Sequence, residues 1–267
     1  MFTTGSLLTN NLIMAIIFLT GAAFIAGFID AVAGGSGLVL VPSCMLAGMP
    51  SQLALGQAKL VGTIGIIGAI HNYVKNNKLV WQLVPVGIVI GLLGAYVGAK
   101  TILFIDERLV AKIIIFMLPI MLILTLCKSK FTAKRTATAT TDNTIKYYIL
   151  VITLVSFIIG FYDGFLGPGT GSLFIITLYL FIKIDLVKAS ATAKIFNFSS
   201  NVGALIAFAI AGKMLFKLGI PMIIGSWAGN YIGSKLATAK GEKIVKMVLV
   251  LTISILLATL AMKFIFA

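Results

Sequence analysis

The chain has 267 residues, of which 60% are hydrophobic and only 10% are charged. A soluble domain carries about 25% charged residues, so this composition excludes a soluble globular fold and indicates an integral membrane protein. The formal charge of +14 does not indicate a nucleic-acid partner, because the lysines and arginines lie in short loops between apolar segments.

Ten apolar segments follow one another along the chain. A membrane-spanning helix needs about 20 residues, and the second and seventh segments are shorter than that. In chain order the segments are 12–33, 37–48, 53–74, 79–99, 109–127, 146–165, 171–182, 186–211, 216–236 and 243–264. We therefore predict an all-α membrane protein of about ten helical segments, two of them short and broken.

The second half of the chain repeats the pattern of the first half. Residues 27–37 read GFIDAVAGGSG and residues 160–171 read GFYDGFLGPGTG, so each copy places one acid before a glycine-rich break. A lysine follows in the next long apolar segment of each half. We interpret this as an internal duplication, with repeat 1 at 12–127, a basic cytoplasmic linker at 128–145 and repeat 2 at 146–264.

The distribution of lysine and arginine predicts how the two repeats face. If each repeat crosses the membrane five times, thirteen cations lie on the side of the linker and six on the other side. Four crossings would give ten and nine, which is no bias. The positive-inside rule therefore predicts two inverted repeats of five segments, with both termini outside the cytoplasm and a central site lined by the short helices.

Small residues recur in the fourth segment of each repeat. Gly87, Gly91, Gly94 and Gly98 are spaced three to four residues apart, which places them on one face of a helix. This pattern predicts close packing of that face against a neighbouring helix.

Lys59 and Lys194 are the candidate substrate-binding cations, since each lies well inside an apolar segment. An ammonium group at that depth costs at least about 2.5–3.5 kcal/mol, so it usually marks a transport pathway or has a partner. Binding of an anionic substrate is one interpretation, and snorkelling of the side chain to the nearer interface is the alternative.

Asp30 and Asp163 end the first segment of each repeat and precede the breaks. Three roles are open for them: a proton-coupling carboxylate, a charge partner for a lysine, or a helix cap that accepts hydrogen bonds from free backbone N–H groups.

Further polar groups could contact an anion. Backbone amides at the breaks could bind it at a helix N-terminus, although tight turning and close packing explain the same glycines. Side-chain amides near the two lysines could line a polar cavity or join helices. The amide candidates are Gly34, Gly35, Ser36, Gly37, Gly169, Thr170 and Gly171, and the side-chain candidates are Gln57, Asn197 and Asn201.

The two glycine motifs, the segments ALGQAK and ASATAK that contain the lysines, and the duplicated layout resemble the sulfite exporter TauE/SafE family, also called TSUP. The resemblance covers about residues 12–264. It implies a permease of the bacterial plasma membrane that moves sulfite, sulfonates or related small organic anions, driven by the proton gradient.

The residues themselves predict a secondary transporter of small anions with inverted repeats, working by alternating access. The resemblance adds sulfur-containing or carboxylate anions and proton coupling to this expectation. An anion channel without coupling is the alternative. An enzyme is disfavoured because the sequence shows no nucleophile paired with a base and no metal-ligand cluster. The expected partners are a small anion and the lipid bilayer, with no cofactor, no metal and no nucleic acid, and the choice between monomer and homo-oligomer stays open.

Overall fold

The computed structural model describes residues 6–76, 78–131 and 143–240. All regular secondary structure within these ranges is helical, which confirms the predicted all-α class. The helices are α1 Leu7–Asn10, α2 Leu12–Ala33, α3 Ser36–Leu46, α4 Ser51–Gly65, α5 Ile67–Lys75, α6 Val84–Leu103, α7 Glu107–Phe131, α8 Asn143–Phe165, α9 Thr170–Phe181, α10 Leu186–Ile210 and α11 Phe216–Lys240.

Four stretches in the described part of the chain are long and apolar enough to cross a membrane. They are Leu12–Val32, Ser51–Lys75, Trp81–Leu103 and Leu186–Ile210. The short helices α3 and α9 have 11 and 12 residues, as the glycine breaks and the short apolar segments predict.

The boundaries of the helices differ from the prediction in two places. The predicted segment 53–74 is divided at Ile66, where α4 ends and α5 begins. Gly62, Gly65 and Gly68 surround this point, and glycine weakens a helix because it adds backbone freedom to the unfolded chain.

The second difference concerns the linker predicted at 128–145. Residues 128–131 belong to α7 and residues 143–145 belong to α8. The predicted last segment of repeat 2, 243–264, lies outside the described residues.

The helices start and finish at two opposite ends of the bundle. At one end, Ser51 Oγ at the start of α4 donates a hydrogen bond to Glu107 O at 3.0 Å. At the other end, Val80 N donates to Thr192 Oγ1 near the start of α10 at 3.1 Å. We call them the Glu107 end and the Asp185 end, after the first residue of α7 and the N-cap residue of α10.

The helices that carry the two buried lysines, α4 and α10, run in opposite directions. Leu215, just after α10, donates from its backbone N to Gln57 Oε1 near the start of α4 at 2.9 Å. At the opposite end, Tyr73 of α5 packs with Ala191 near the start of α10. This antiparallel relation is the one expected for equivalent segments of two inverted repeats.

Helix α3 turns back towards the end from which α2 comes. The end of α2 lies near the Asp185 end, because Tyr73 Oη of α5 donates to Ala31 O at 2.9 Å. The residue after α3, Ala47, accepts a hydrogen bond from Leu8 N at 3.2 Å, and α4 starts at the Glu107 end soon afterwards. The glycine break therefore reverses the direction of the chain within the bundle.

Glycine-mediated packing joins each half of the chain to the other half. Helix α2 packs along α11, and α6 packs along α8. A Cβ atom on Gly98 would collide with the carbonyl oxygen of Phe161, and one on Gly229 would collide with that of Phe24. This confirms the close packing that the glycine spacing predicts. It also interlocks the halves, because the first long helix of each half packs on the helix of the fourth segment of the other half.

The glycine contacts predict a position-specific loss of stability. Replacing Gly98 by alanine should lower the apparent Tm of the protein in detergent, because the new Cβ has to displace backbone of α8. Overpacking of this kind costs about 1–3 kcal/mol. Gly21→Ala is the matched control, since an added Cβ there meets no atom within 4 Å. Equal Tm values for the two variants would contradict this account of the packing.

Candidate functional site

The two glycine breaks cross each other at the centre of the bundle. Gly34 has φ of +74°, a conformation that favours glycine, and its Cα packs against the backbone of Gly171. Ser172 Oγ donates to Gly34 O at 2.5 Å. The N-termini of α3 and α9 are therefore held next to each other.

Lys59 lies beside this crossing, eight positions after the first residue of α4. Its Nζ is 2.7 Å from Asp163 Oδ1 and also donates to Asn201 Oδ1 at 3.1 Å. The lysine side chain is 6% exposed and the aspartate side chain is 2% exposed. The ammonium is thus held by two groups of the second half of the chain.

Lys194 occupies the equivalent position in α10, eight positions after the first residue of that helix. Its Nζ is 3.2 Å from Asp30 Oδ2 and also donates to the backbone carbonyl of Asp30. The lysine side chain is 1% exposed and the aspartate side chain is 3% exposed. Here a lysine of the second half pairs with an acid of the first half.

The two pairs form a crossed arrangement, in which each lysine takes its partner from the opposite half of the chain. Removing a charge from water costs several kcal/mol, and only a close partner of opposite sign offsets that cost. Snorkelling does not describe either lysine, because both ammonium groups point to buried carboxylates. Of the roles considered for the acids, the structure places both as charge partners.

Asp30 is also the cap of α3. Its Oδ1 accepts hydrogen bonds from Gly35 N at 3.1 Å and from Ser36 N at 3.4 Å. Asp163 cannot form the equivalent first bond, because the residue five positions later is Pro168, which has no N–H.

Both carboxylate oxygens of Asp163 are instead held by side chains. Lys59 contacts Oδ1, and Ser200 Oγ donates to Oδ2 at 2.7 Å. Ser200 is one of the polar residues near the two lysines for which the sequence suggests a place in a polar cavity or in a contact between helices. Its spacing from Asn197 and Asn201 on α10 was the available signal, since residues three and four apart share a helix face.

A small polar cavity of about 20 Å³, partly open, lies at this crossing. Ten of the predicted site residues line it, namely Asp30, Gly35, Ser36, Gly37, Lys59, Asp163, Thr170, Gly171, Asn197 and Asn201. The apolar lining was not predicted and consists of Val41, Leu55, Ala58 and Leu166, joined by Gly167. Leu55 and Ala58 precede Lys59 by four residues and by one, so the helix spacing could have identified Leu55.

Four predicted site residues do not line the cavity. Gly34 and Gly169 lie within the breaks, and Lys194 is buried against Asp30. Gln57 points to the Glu107 end, where its Nε2 donates to Leu215 O at 3.3 Å. Its neighbour Gly56 packs on the backbone of Lys213, so this part of α4 holds the α10–α11 loop rather than the cavity.

A bundle of apolar helices with buried ion pairs beside a polar cavity is typical of membrane transport proteins. The family model described as sulfite exporter TauE/SafE matches residues 19–260, so the chain belongs to this family. The resemblance noted in the sequence is thereby confirmed. No solved structure matches the chain.

The curated relatives are named as transporters. A probable membrane transporter protein of Haemophilus influenzae is 33% identical over 239 residues, covering 90% of this chain and 91% of the relative. One from a Sinorhizobium species is 35% identical over 242 residues, with 90% of each chain covered. The Escherichia coli K12 protein YfcA, also named a probable membrane transporter protein, is 30% identical over 256 residues, covering 94% and 93%. The family and these names identify the chain as a membrane transporter.

The crossed pairs predict a steep stability loss when one partner is removed. Lys194→Met leaves the buried Asp30 carboxylate without its cation and should destabilise the protein by about 3–5 kcal/mol. Adding Asp30→Asn should recover part of that loss. The measurement is thermal unfolding in detergent for the two single variants and the double variant.

Lys188→Met is the matched control for this experiment. Lys188 belongs to the same helix and forms a 3.5 Å pair with Asp185, but both side chains are about half exposed. Exposed pairs contribute about 0–1 kcal/mol, so the Tm should stay close to that of the wild type. A Lys194→Met protein as stable as Lys188→Met would show that the buried pair does not hold the halves together.

Proposed function

We propose that the protein is a secondary transporter of small sulfur-containing or carboxylate anions, working by proton-coupled alternating access. The observation that carries this proposal is the position of Lys59, whose ammonium lines a cavity bordered by the N-termini of α3 and α9. A cation and two helix N-termini at one cavity favour a negatively charged ligand.

The lining of the cavity supports a compact anion. Glycine residues of both breaks line it, including Gly37 and Gly171, so a ligand can approach the backbone closely. The side-chain amides of Asn197 and Asn201 add hydrogen-bonding groups from one face of α10. Sulfite, a sulfonate group or a carboxylate presents several acceptor oxygens to such donors.

Lys194 has an indirect role in this proposal. The sequence predicts direct contact between both lysines and the anion, but Lys194 lies outside the cavity and is bound to Asp30. Asp30 in turn caps α3 through the amides of Gly35 and Ser36. We therefore assign Lys194 to positioning the N-terminus of α3 and Lys59 to binding the anion.

The position of the cavity supports a carrier rather than a channel. It extends from the crossed breaks to Val41 and Leu55, which lie towards the Glu107 end. Lys194 lies outside the cavity, in buried contact with Asp30. A binding site that ends at a buried ion pair suits alternating access, in which the two sides open in turn.

The same proposal places the protein in the bacterial plasma membrane. The linker at 128–145 would be cytoplasmic, which assigns the Glu107 end to the external side. In the described conformation the anion site would thus lie on the external half of the bundle.

Binding and uptake of six anions test this function. The series is sulfite, sulfate, thiosulfate, taurine, sulfoacetate and acetate, measured by thermal shift of the purified protein and by uptake into proteoliposomes. We expect saturable uptake of at least one anion. Lys59→Gln should bind it about tenfold to a hundredfold more weakly, because a charge-assisted hydrogen bond is lost.

Lys188→Gln is the control, since it removes an exposed lysine far from the cavity. Anion binding by Lys59→Gln at wild-type affinity would place the site elsewhere. An uptake rate that rises linearly with anion concentration and does not change with a pH gradient would favour the channel instead. The absence of binding and of uptake for all six anions would overturn the proposed function.

A further inference from the structure

The two acids that look equivalent in the sequence have different surroundings in the structure. Asp30 accepts hydrogen bonds from two backbone amides, and Lys194 contacts both its carboxylate and its backbone carbonyl. One of these amides belongs to Ser36, the first residue of α3, and the other to Gly35, the N-cap residue of that helix. Asp30 is therefore held by backbone groups as well as by Lys194.

In the described part of the chain the Asp163 carboxylate is held by side chains alone, and these can move without unfolding a helix. Lys59 Nζ contacts Oδ1 at 2.7 Å, and Ser200 Oγ contacts Oδ2 at 2.7 Å. Pro168 removes the amide that would correspond to Gly35 N. Asp163 also lines the cavity next to Lys59, so water and a ligand in the cavity can reach the pair.

We propose that Asp163, and not Asp30, is the carboxylate that carries the coupling proton. This inference rests on the proposed function, because it assumes that an anion enters the cavity. The sequence leaves three roles open for both acids, namely proton coupling, charge pairing and helix capping, and this inference assigns proton coupling to Asp163.

The charge balance at the site explains why a proton is needed. In the empty site Lys59 and Asp163 neutralise each other. When a monovalent anion binds the Lys59 ammonium in place of Asp163, the Asp163 carboxylate stays buried without a partner. That costs several kcal/mol. A proton from water in the cavity that binds to the released Oδ1 converts the carboxylate to a neutral acid. The site then contains one cation, one anion and one neutral acid, so its net charge is unchanged.

Release on the other side of the membrane reverses the same step. The anion leaves, Asp163 returns its proton to water, and the carboxylate pairs again with Lys59. Without a proton, Asp163 and the anion compete for one ammonium. Transport of one monovalent anion therefore moves one proton in the same direction.

Other titratable groups around Asp163 do not supply this function. Asp30 of α2 lies across the same cavity but is bound to Lys194 of α10. Tyr162 on the same helix donates its hydroxyl hydrogen to Pro168 O at 2.7 Å. Helix α6 packs against this part of α8 through glycine and alanine, and α9 contributes Thr170 and Gly171 to the cavity.

The test compares two modes of transport in proteoliposomes, using whichever of the six anions the wild type takes up fastest. Uptake driven by a pH gradient requires protonation and deprotonation of the coupling acid, whereas exchange of internal for external anion at equal pH does not. The Asp163→Asn side chain is neutral and cannot release a proton, so it mimics the protonated acid at every pH. We expect its gradient-driven uptake to fall to the level of protein-free liposomes, while exchange persists at a reduced rate.

Asp30→Asn is the matched comparison, since it removes the same charge from the equivalent position. It should lower gradient-driven uptake and exchange in the same proportion, because it loosens α3 and leaves Lys194 unpaired. The inference is overturned if Asp163→Asn keeps gradient-driven uptake, if it loses both modes equally while remaining folded by size-exclusion chromatography, or if Asp30→Asn shows the selective loss. Wild-type protein that takes up none of the six anions would instead overturn the proposed function, and the inference with it.

Ser200→Ala provides a milder variant that keeps both charges. It removes the hydroxyl donor to Asp163 Oδ2, so the deprotonated acid is less stabilised. The pH of half-maximal gradient-driven uptake should shift upward by a few tenths to about one unit. Ser199→Ala is the control, because the Ser199 hydroxyl donates to Phe196 O within its own helix. An unchanged or lowered half-maximal pH in Ser200→Ala would contradict the role of Asp163.

Discussion

Two lysines are buried in the interior of an apolar bundle, and a buried ammonium group is stable only with a group of opposite charge close to it. Each ammonium is met by a carboxylate from the opposite half of the chain, Asp163 for Lys59 and Asp30 for Lys194. Since an unpaired charge in this setting costs several kcal/mol, neither half can bury its lysine without the other. The ion pairs thus require the two halves to fold together around one centre.

Glycine makes that approach of the halves geometrically possible. The first long helix of each half packs directly on the fourth-segment helix of the other half, with backbone against backbone at Gly98 and Gly229. The breaks meet in the same way at Gly34 and Gly171. Larger residues at these positions would push the helices apart and lengthen the distance between each lysine and its acid. Packing and electrostatics are therefore coupled in this fold.

The single sequence was sufficient to predict the helical membrane fold, the short helices at the breaks and most residues of the cavity. The length of the apolar segments and the positions of the glycine-rich breaks are local signals that one sequence shows. It could not show which acid meets which lysine. The partners are 104 and 164 residues apart, and their pairing depends on how the halves interlock. Gln57 illustrates the same limit, since a polar residue near a buried lysine faces the Glu107 end instead of the cavity.

A duplicated sequence also does not imply duplicated chemistry. The substitution of an amide-bearing glycine by Pro168 in the second break removes a backbone donor from Asp163. In its place the Ser200 hydroxyl donates to Asp163, and the side-chain oxygen of Asn201 accepts a hydrogen bond from Lys59. In the other pair, Asp30 accepts a hydrogen bond from the backbone amide of Gly35, and Lys194 lies outside the cavity. One pair can therefore serve as a fixed brace while the other exchanges partners. The protein can then exchange ions at Lys59 and Asp163 while the pair of Lys194 and Asp30 keeps the two halves in contact.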